Sequence, residues 1–154
     1  MAKDLRYFMR NTEPEIITAP GPASFKDDEG NQIMFEIKVL TQEEIHKINE
    51  NYRTHRIATD KKGNPLVQNG EVVFRTERES LKATQHILVE ALQYPNLKDP
   101  ELMQFYNCVD VTDMPMKVFS KADEYDHVLR TVFAALGIGG FEEDESETID
   151  EAKN

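Results

Sequence analysis

The residue types that could carry out chemistry are few in this chain, and none stands at the spacing such chemistry needs. His46, His55, His86 and His127 form no HExxH pattern and have no paired cysteines, so a zinc site would need separate elements to converge. A lone thiol, Cys108 in Phe105-Tyr106-Asn107-Cys108-Val109-Asp110, would be a nucleophile only with a histidine against it; otherwise it reads as a small buried apolar residue. Gly137-Ile138-Gly139-Gly140 follows a helical stripe, whereas a phosphate loop precedes a helix so that free amides face the anion. The acids of Phe25-Lys26-Asp27-Asp28-Glu29-Gly30-Asn31 lack calcium-loop spacing and suit a turn. The expectation is no catalytic, metal or cofactor residue, and a protein that is not an enzyme.

What remains suits contact with another macromolecule. Leu5, Phe8 and Met9 form an apolar hook near the start of the chain. Arg53, His55, Arg56, Lys61 and Lys62, with Arg75, Arg78 and Lys82 further on, gather seven of the 18 Lys and Arg residues, with one histidine, into one segment. Leu5, Phe8, Met9, Arg53, Arg56, Arg75 and Arg78 are therefore the expected partner-binding residues. Met103, Met114 and Met116 read as gap-fillers of a core.

Composition narrows the partner. Across 154 residues, 18 Lys and Arg stand against 29 Asp and Glu, a net charge of −11, which argues against nucleic acid because phosphate binding rests on cationic side chains. Residues 142–154 alone hold seven acids and Lys153, so this acidic tail has too little apolar surface to offset its ordering entropy and is expected to be disordered. A single cysteine forms no internal disulfide, and the charges of Lys3, Asp4, Arg6 and Arg10 break any signal-peptide core. Nothing approaches the ~18 apolar residues of a membrane span. A reducing cytosol is expected.

Turn and cap residues then mark the elements. Residues 4–10 suit one or two helical turns with Leu5, Phe8 and Met9 on one side, and Pro14, Pro20 and Pro22 keep the next stretch an extended connector. Ile33, Phe35, Ile37 and Val39 alternate after a turn at 28–31, which predicts a hairpin beginning at Phe25. Thr41 and Glu44 form a capping box inside a Leu40 to Ile45 staple, opening a helix to about Arg53. Asn69-Gly70 between Leu66-Val67 and Val72-Val73 predicts a second, protruding hairpin. A box of Thr76 and Glu79 predicts a central helix to about Gln93, with Leu81, Ile87, Leu88, Val89, Ala91 and Leu92 apolar. Asp99-Pro100-Glu101 starts a short helix whose inward residues are Leu102, Met103 and Tyr106. Ser120 with Asp123 opens the last helix, whose stripe Tyr125, Val128, Leu129, Val132, Phe133 and Leu136 stops at Gly137. The expected fold is α+β: one mainly helical domain of three main helices with one or two hairpins. The division is a hook and connector over 1–24, a domain over 25–141 and the acidic tail over 142–154.

Order and spacing of several motifs carry a family resemblance. Phe25-Lys26-Asp27-Asp28-Glu29-Gly30, Phe35-Glu36-Ile37-Lys38-Val39-Leu40-Thr41-Gln42-Glu43-Glu44, Tyr94-Pro95-Asn96-Leu97-Lys98-Asp99-Pro100-Glu101-Leu102 with Tyr106, and Glu124-Tyr125 opening a glycine-ended helix, together with Leu5 and Phe8, resemble the XkdN-like phage tail assembly chaperones over roughly residues 5–141. Tyr106-Asn107-Cys108-Val109 departs from the family's Tyr-Gly-Val step, and the Asn69-Gly70 hairpin is longer than usual. The resemblance implies a non-enzymatic protein of a phage or prophage. It would act in the host bacterial cytoplasm, bind the tape measure protein, help bring in the tail tube protein, with self-association a further option, and be absent from the mature virion. The alternative is a minor structural component of the tail. Chaperones of this kind often have a longer form made by −1 ribosomal frameshifting, and Ala152-Lys153-Asn154 permits, in suitable codons, the slippery heptamer this needs.

Overall fold

Two copies of one local device shape the first half of the chain. In Asp27-Asp28-Glu29-Gly30-Asn31 the Asp27 carboxylate accepts from the backbone N–H of Glu29 and Asn31, both at 2.9 Å, and Gly30 takes φ +86°. Asp60-Lys61-Lys62-Gly63-Asn64 repeats it, with Asp60 accepting from Lys62 and Asn64 at 2.9 and 3.0 Å and Gly63 at φ +84°. An Asp side chain that mimics a backbone acceptor, followed by a residue free to take positive φ, closes the turn in each case. The computed structural model describes residues 3–11 and 13–138, except the side chains of His55, Arg56, Thr76, Glu77 and Arg78.

Strand β1, Ile16–Pro20, pairs antiparallel with β2, Met34–Lys38, in the register Ile16 to Lys38 through Pro20 to Met34. The stretch expected as a connector is extended, and it is the edge strand of a sheet. A proline at its last residue fits an edge, where its missing N–H leaves no ladder bond unmade. The expected hairpin partner from Phe25 reduces to a single bridge, Lys26 to Gln32. Phe35 and Ile37 are buried as their alternation predicts, while Met34 and Glu36 face water.

At Gly21 the chain turns so closely over Phe35 that an added Cβ would lie 2.8 Å from the ring and 3.0 Å from the carbonyl oxygen of Ile33. Gly21→Ala is accordingly expected to cost about 1–3 kcal/mol by overpacking, read as a lower urea midpoint with an unchanged slope. An unchanged midpoint would show that the ring yields freely.

Helix α1, Gln42–Asn51, opens as predicted: the Thr41 hydroxyl accepts from the Glu44 N–H at 3.1 Å, and Leu40 and Ile45 are buried on either side. It ends at Asn51, since the chain from Arg53 is already strand. Strand β3, Arg53–Ile57, is paired along its length with β6, Phe74–Arg78. Between them β4, Val67–Gln68, and β5, Glu71–Val72, flank the predicted type I′ turn, with Asn69 and Gly70 at φ +53° and +80°.

Because β6 takes up Thr76, the expected box of Thr76 and Glu79 does not form. Helix α2, Ser80–Ala91, starts after Glu79 without a side-chain cap. It also ends earlier than its apolar run suggests: Leu92–Tyr94 is strand β7, paired with β2 on the side away from β1. The sheet order is β1-β2-β7.

Helix α2 is the centre of the core, with Ile87, Leu88, Val89 and Ala91 buried together with Ala83; Leu81, although apolar, is exposed. Helix α3, Pro100–Phe105, is capped by Asp99, whose carboxylate accepts from Glu101 and Leu102 at 3.0 and 3.2 Å. Leu102, Met103 and Tyr106 pack partly buried on the core, as expected. After a 3-10 turn at Val111–Asp113 comes α4, Met114–Val118, leading to the buried Phe119, whose ring lies 5.5 Å from Phe25 and 5.7 Å from Phe35. Aromatic contacts of that geometry add to burial.

Helix α5, Ala122–Ala135, begins one residue later than predicted. Its cap is Lys121, whose N–H donates to Glu124 Oε1 at 3.2 Å, in place of Ser120 with Asp123. Glu124 is selected because it is buried and its other oxygen accepts from the Ser24 hydroxyl, which ties α5 to the segment before β2. Val128, Val132 and Phe133 are buried. The predicted glycine stop is present in full: Gly137 at φ +80° donates to Ala134 at 3.1 Å and Ile138 to Phe133 at 2.9 Å. The result is a mixed α+β domain whose three long helices are α1, α2 and α5. The acidic tail 142–154, the domain limit at Phe141, Gly139-Gly140 and Ala152-Lys153-Asn154 lie outside the described residues.

Candidate partner-binding surfaces

The hook is a single 3-10 turn, Leu5–Phe8, held by Asp4, whose carboxylate accepts from the Arg6 N–H at 2.9 Å and pairs with its guanidinium at 2.6 Å. That ion pair favours both charged forms, holding the Asp4 carboxyl below and the Arg6 guanidinium above their ordinary ranges. None of the turn residues is buried: Leu5 is 68% exposed, Tyr7 80%, Phe8 82% and the following Met9 73%. Four consecutive or near-consecutive large apolar side chains in water differ from the scattered single exposures normal for a soluble surface. The sequence reading named three of them. A helical period places Tyr7 on the side away from Leu5, Phe8 and Met9, but in a turn this short it is exposed together with them.

A groove of about 290 Å³ lies between Arg10, Asn11, Glu13, Pro14 and Glu15, which follow the hook along the chain, and the junction of β2 with α1, including Lys38, Leu40, Thr41 and Glu44. Lys38 and Glu44, which both line it, approach to 4.0 Å.

The basic residues gather on one ribbon. Register places Arg53 opposite Arg78 and Arg56 opposite Arg75 on the β3 and β6 ladder, so all four sequence-selected arginines belong to one two-stranded arm, residues 53–78. The two rungs are three residues apart along β3. Strand alternation therefore assigns Arg53 and Arg75, both exposed, to opposite faces of the ribbon. Arg53 also contacts Glu50 at 3.2 Å. The side chains of Arg56 and Arg78 lie outside the described residues. What the sequence reading passed over is the apolar content of the arm: Ile57 pairs with Phe74, and Val67 with Val72, all four exposed. Period-two alternation across the Asn69-Gly70 turn is the signal that would have paired them.

Cys108 donates to the carbonyl oxygen of Asp110 at 2.9 Å, and burial, with Asp113 nearby, pushes its thiol above the ordinary range. The neighbouring Asp110 is held low by hydrogen bonds from the hydroxyl and N–H of Thr112, at 2.8 and 3.0 Å. A raised thiol makes a poor nucleophile at neutral pH. Cys108 is expected to react with a thiol reagent at pH 7 more slowly than a cysteine in an unfolded peptide; an equal or faster rate would contradict the shift. Among the described residues no group of three or more His, Cys, Asp or Glu side chains is placed to hold a metal ion, and no helix is long and apolar enough to cross a membrane.

The sequence profile of the phage XkdN-like tail assembly chaperones matches residues 5–153. The chain belongs to that family. Two similar proteins come from Bacillus subtilis (strain 168): the uncharacterized protein YqbN is 31% identical over 153 residues, spanning 98% of this chain and 93% of the relative. Protein XkdN of the phage-like element PBSX is 29% identical, over 98% of this chain and 94% of the relative. The crystal structure of YqbN superposes with a TM-score of 0.66 at 24% identity, covering 89% of this chain and 98% of that one, which is agreement in fold. Membership of this chaperone family places the chain among proteins of bacteriophage and prophage tail assembly.

Proposed function

We propose that this XkdN-like chaperone binds the tape measure protein of a phage or prophage tail through Leu5, Phe8 and Met9 and the groove at the junction of β2 with α1, with Arg53, Arg56, Arg75 and Arg78 of the arm as further contacts. The observation that carries this reading is the exposure of the hook, which holds large apolar side chains in water on a turn stabilised by its own ion pair. A long apolar helical partner needs exchangeable apolar contacts until tail tube subunits enclose it, and such shielding needs no catalytic group. The complex would form in the host bacterial cytoplasm and be released before the virion is complete. A frameshifted longer product, if made at Ala152-Lys153-Asn154, would attach a second domain beyond the acidic tail.

Co-expression of the full chain with the tape measure protein of the same phage or prophage tests this directly. Co-purification and improved solubility of that protein are expected, and failure of both would overturn the proposal. The rival reading, a minor structural component, predicts stoichiometric presence in purified particles by mass spectrometry, where the chaperone reading predicts absence.

A further inference from the structure

Among the described residues, nothing covers the arm of residues 53–78: of its own described side chains, Ala58 alone is buried. The arm is rooted where the Glu79 N–H donates to the Tyr52 carbonyl at 2.9 Å, between the end of α1 and the start of α2. Register and strand alternation put Arg53, Ile57 and Phe74 on one face of the ribbon, and Val72, two residues before Phe74, continues it. All four are exposed, Ile57 to 50% and Phe74 to 63%. Lys61 and Lys62, also exposed, sit in the Asp60 turn beyond β3. A two-stranded ribbon is only marginally stable in water, so a cover over this face would stabilise it.

Charge and reach select the cover. Residues 53–78 carry six basic against three acidic side chains, a net charge of +3, whereas residues 11–52 and 79–138 together carry eight basic against eighteen acidic, a net charge of −10. Residues 139–154 hold seven acids and Lys153, a net charge of −6, so the body repels this segment and the arm attracts it. Phe141 and Ile149 place apolar side chains among those acids, which suits a face where Arg53 accompanies Ile57 and Phe74. Residues 139–154 reach at most about 50 Å when extended, while a domain of this length has a radius of gyration of about 14 Å, so every part of its surface lies within range. Residues 1–10 are also positive, with three basic side chains against Asp4, but Arg6 is already paired with that acid.

We propose that the acidic tail, residues 142–154, folds back with Phe141 onto the arm of its own chain, a strap that covers Ile57 and Phe74 and neutralises the basic residues around them. A tethered segment meets its site at an effective concentration in the millimolar range, so a contact too weak to form between separate molecules suffices. The strap competes with any other acidic ligand of the arm. This inference concerns the chain alone and is independent of the tape measure reading.

Zero-length carbodiimide coupling of carboxylates to amines in the full chain, read by peptide mass spectrometry, tests it. Mixing isotopically labelled with unlabelled chain distinguishes links within a chain from links between chains. Lys61 and Lys62 are expected to couple to the acids of residues 142–147 of the same chain at least about threefold more than Lys26, Lys47 and Lys98 of the body, which are also exposed, and salt raised from about 20 mM to about 500 mM should remove the excess. The combined variant Glu142→Gln, Glu143→Gln, Asp144→Asn, Glu145→Gln, Glu147→Gln takes the segment from −6 to −1. Trypsin should cut it after Lys61 and Lys62 at least about threefold faster than the parent, because protection by the strap is lost. From the other side of the contact, Arg53→Gln with Lys62→Gln changes exposed residues only and should retain the parent circular dichroism while at least about halving the coupling of Lys61. Coupling spread evenly over the surface lysines, links only between chains, coupling at Lys3 in place of Lys61 and Lys62, or unchanged cleavage of the tail variant would overturn the proposal.

Discussion

Leu88→Ala is expected to destabilise the domain by about 2–5 kcal/mol, and Phe133→Ala by about 3–5 kcal/mol. Leu88 is fully buried in the middle of α2, the helix that meets α1, α4, α5 and the sheet, and Phe133 is 5% exposed on the inner face of α5. Removing either side chain leaves a hole bounded by elements fixed on several sides, so little of the lost packing can be recovered by relaxation. At this chain length each kcal/mol at the midpoint moves the melting temperature by about 2–4 °C, which makes either change visible in a calorimeter. The internal control is Leu81→Ala on the same helix. Leu81 points to water, and its replacement should fall within about 0.5 kcal/mol of the parent. Costs below about 1 kcal/mol at both Leu88 and Phe133 would mean that α2 and α5 do not bury these faces.

The second large effect is expected on binding with no effect on folding. Leu5→Asp with Phe8→Asp places two carboxylates on side chains that already lie in water, so the melting temperature should stay within about 2 °C of the parent. Binding to the tape measure protein should fall by at least about a hundredfold, because apolar anchors at the centre of a contact commonly carry 2 kcal/mol or more each and a buried unpaired carboxylate adds a penalty. Isothermal titration or quantitative co-purification against the parent chain measures it. Loss of structure in the double variant would mean that the hook is part of the domain. Full retention of binding would move the contact to the arm.

The division between sequence and tertiary structure follows the range of the forces involved. Features that depend on neighbours five residues apart or fewer were legible: the Thr41 cap, the Asp99 cap with Pro100, the Asn69-Gly70 turn and the Gly137 stop all sit where their chemistry puts them. So were the inner faces of β2 and α5, because period two and period 3.6 express a one-sided environment directly. The α+β class and the three main helices followed from these.

Partners distant in the chain were decided by the fold. Ile16–Pro20 becomes a strand because β2 offers a free edge, and Leu92–Tyr94 leaves its helix because the other edge of β2 is open to it. Neither edge can be seen from the local sequence. The pairing of β3 with β6 absorbed Thr76 and so removed a cap that local rules favoured, and the contact from Ser24 moved the start of α5 to the box closed by Glu124. The candidate surfaces divide in the same way. Hook and basic residues could be named from composition, but strand register alone placed four arginines on one ribbon, and accessibility alone showed Ile57 and Phe74 uncovered. Local propensities amount to a few tenths to about 1 kcal/mol per residue, and a strand that gains a ladder and a buried face outweighs them.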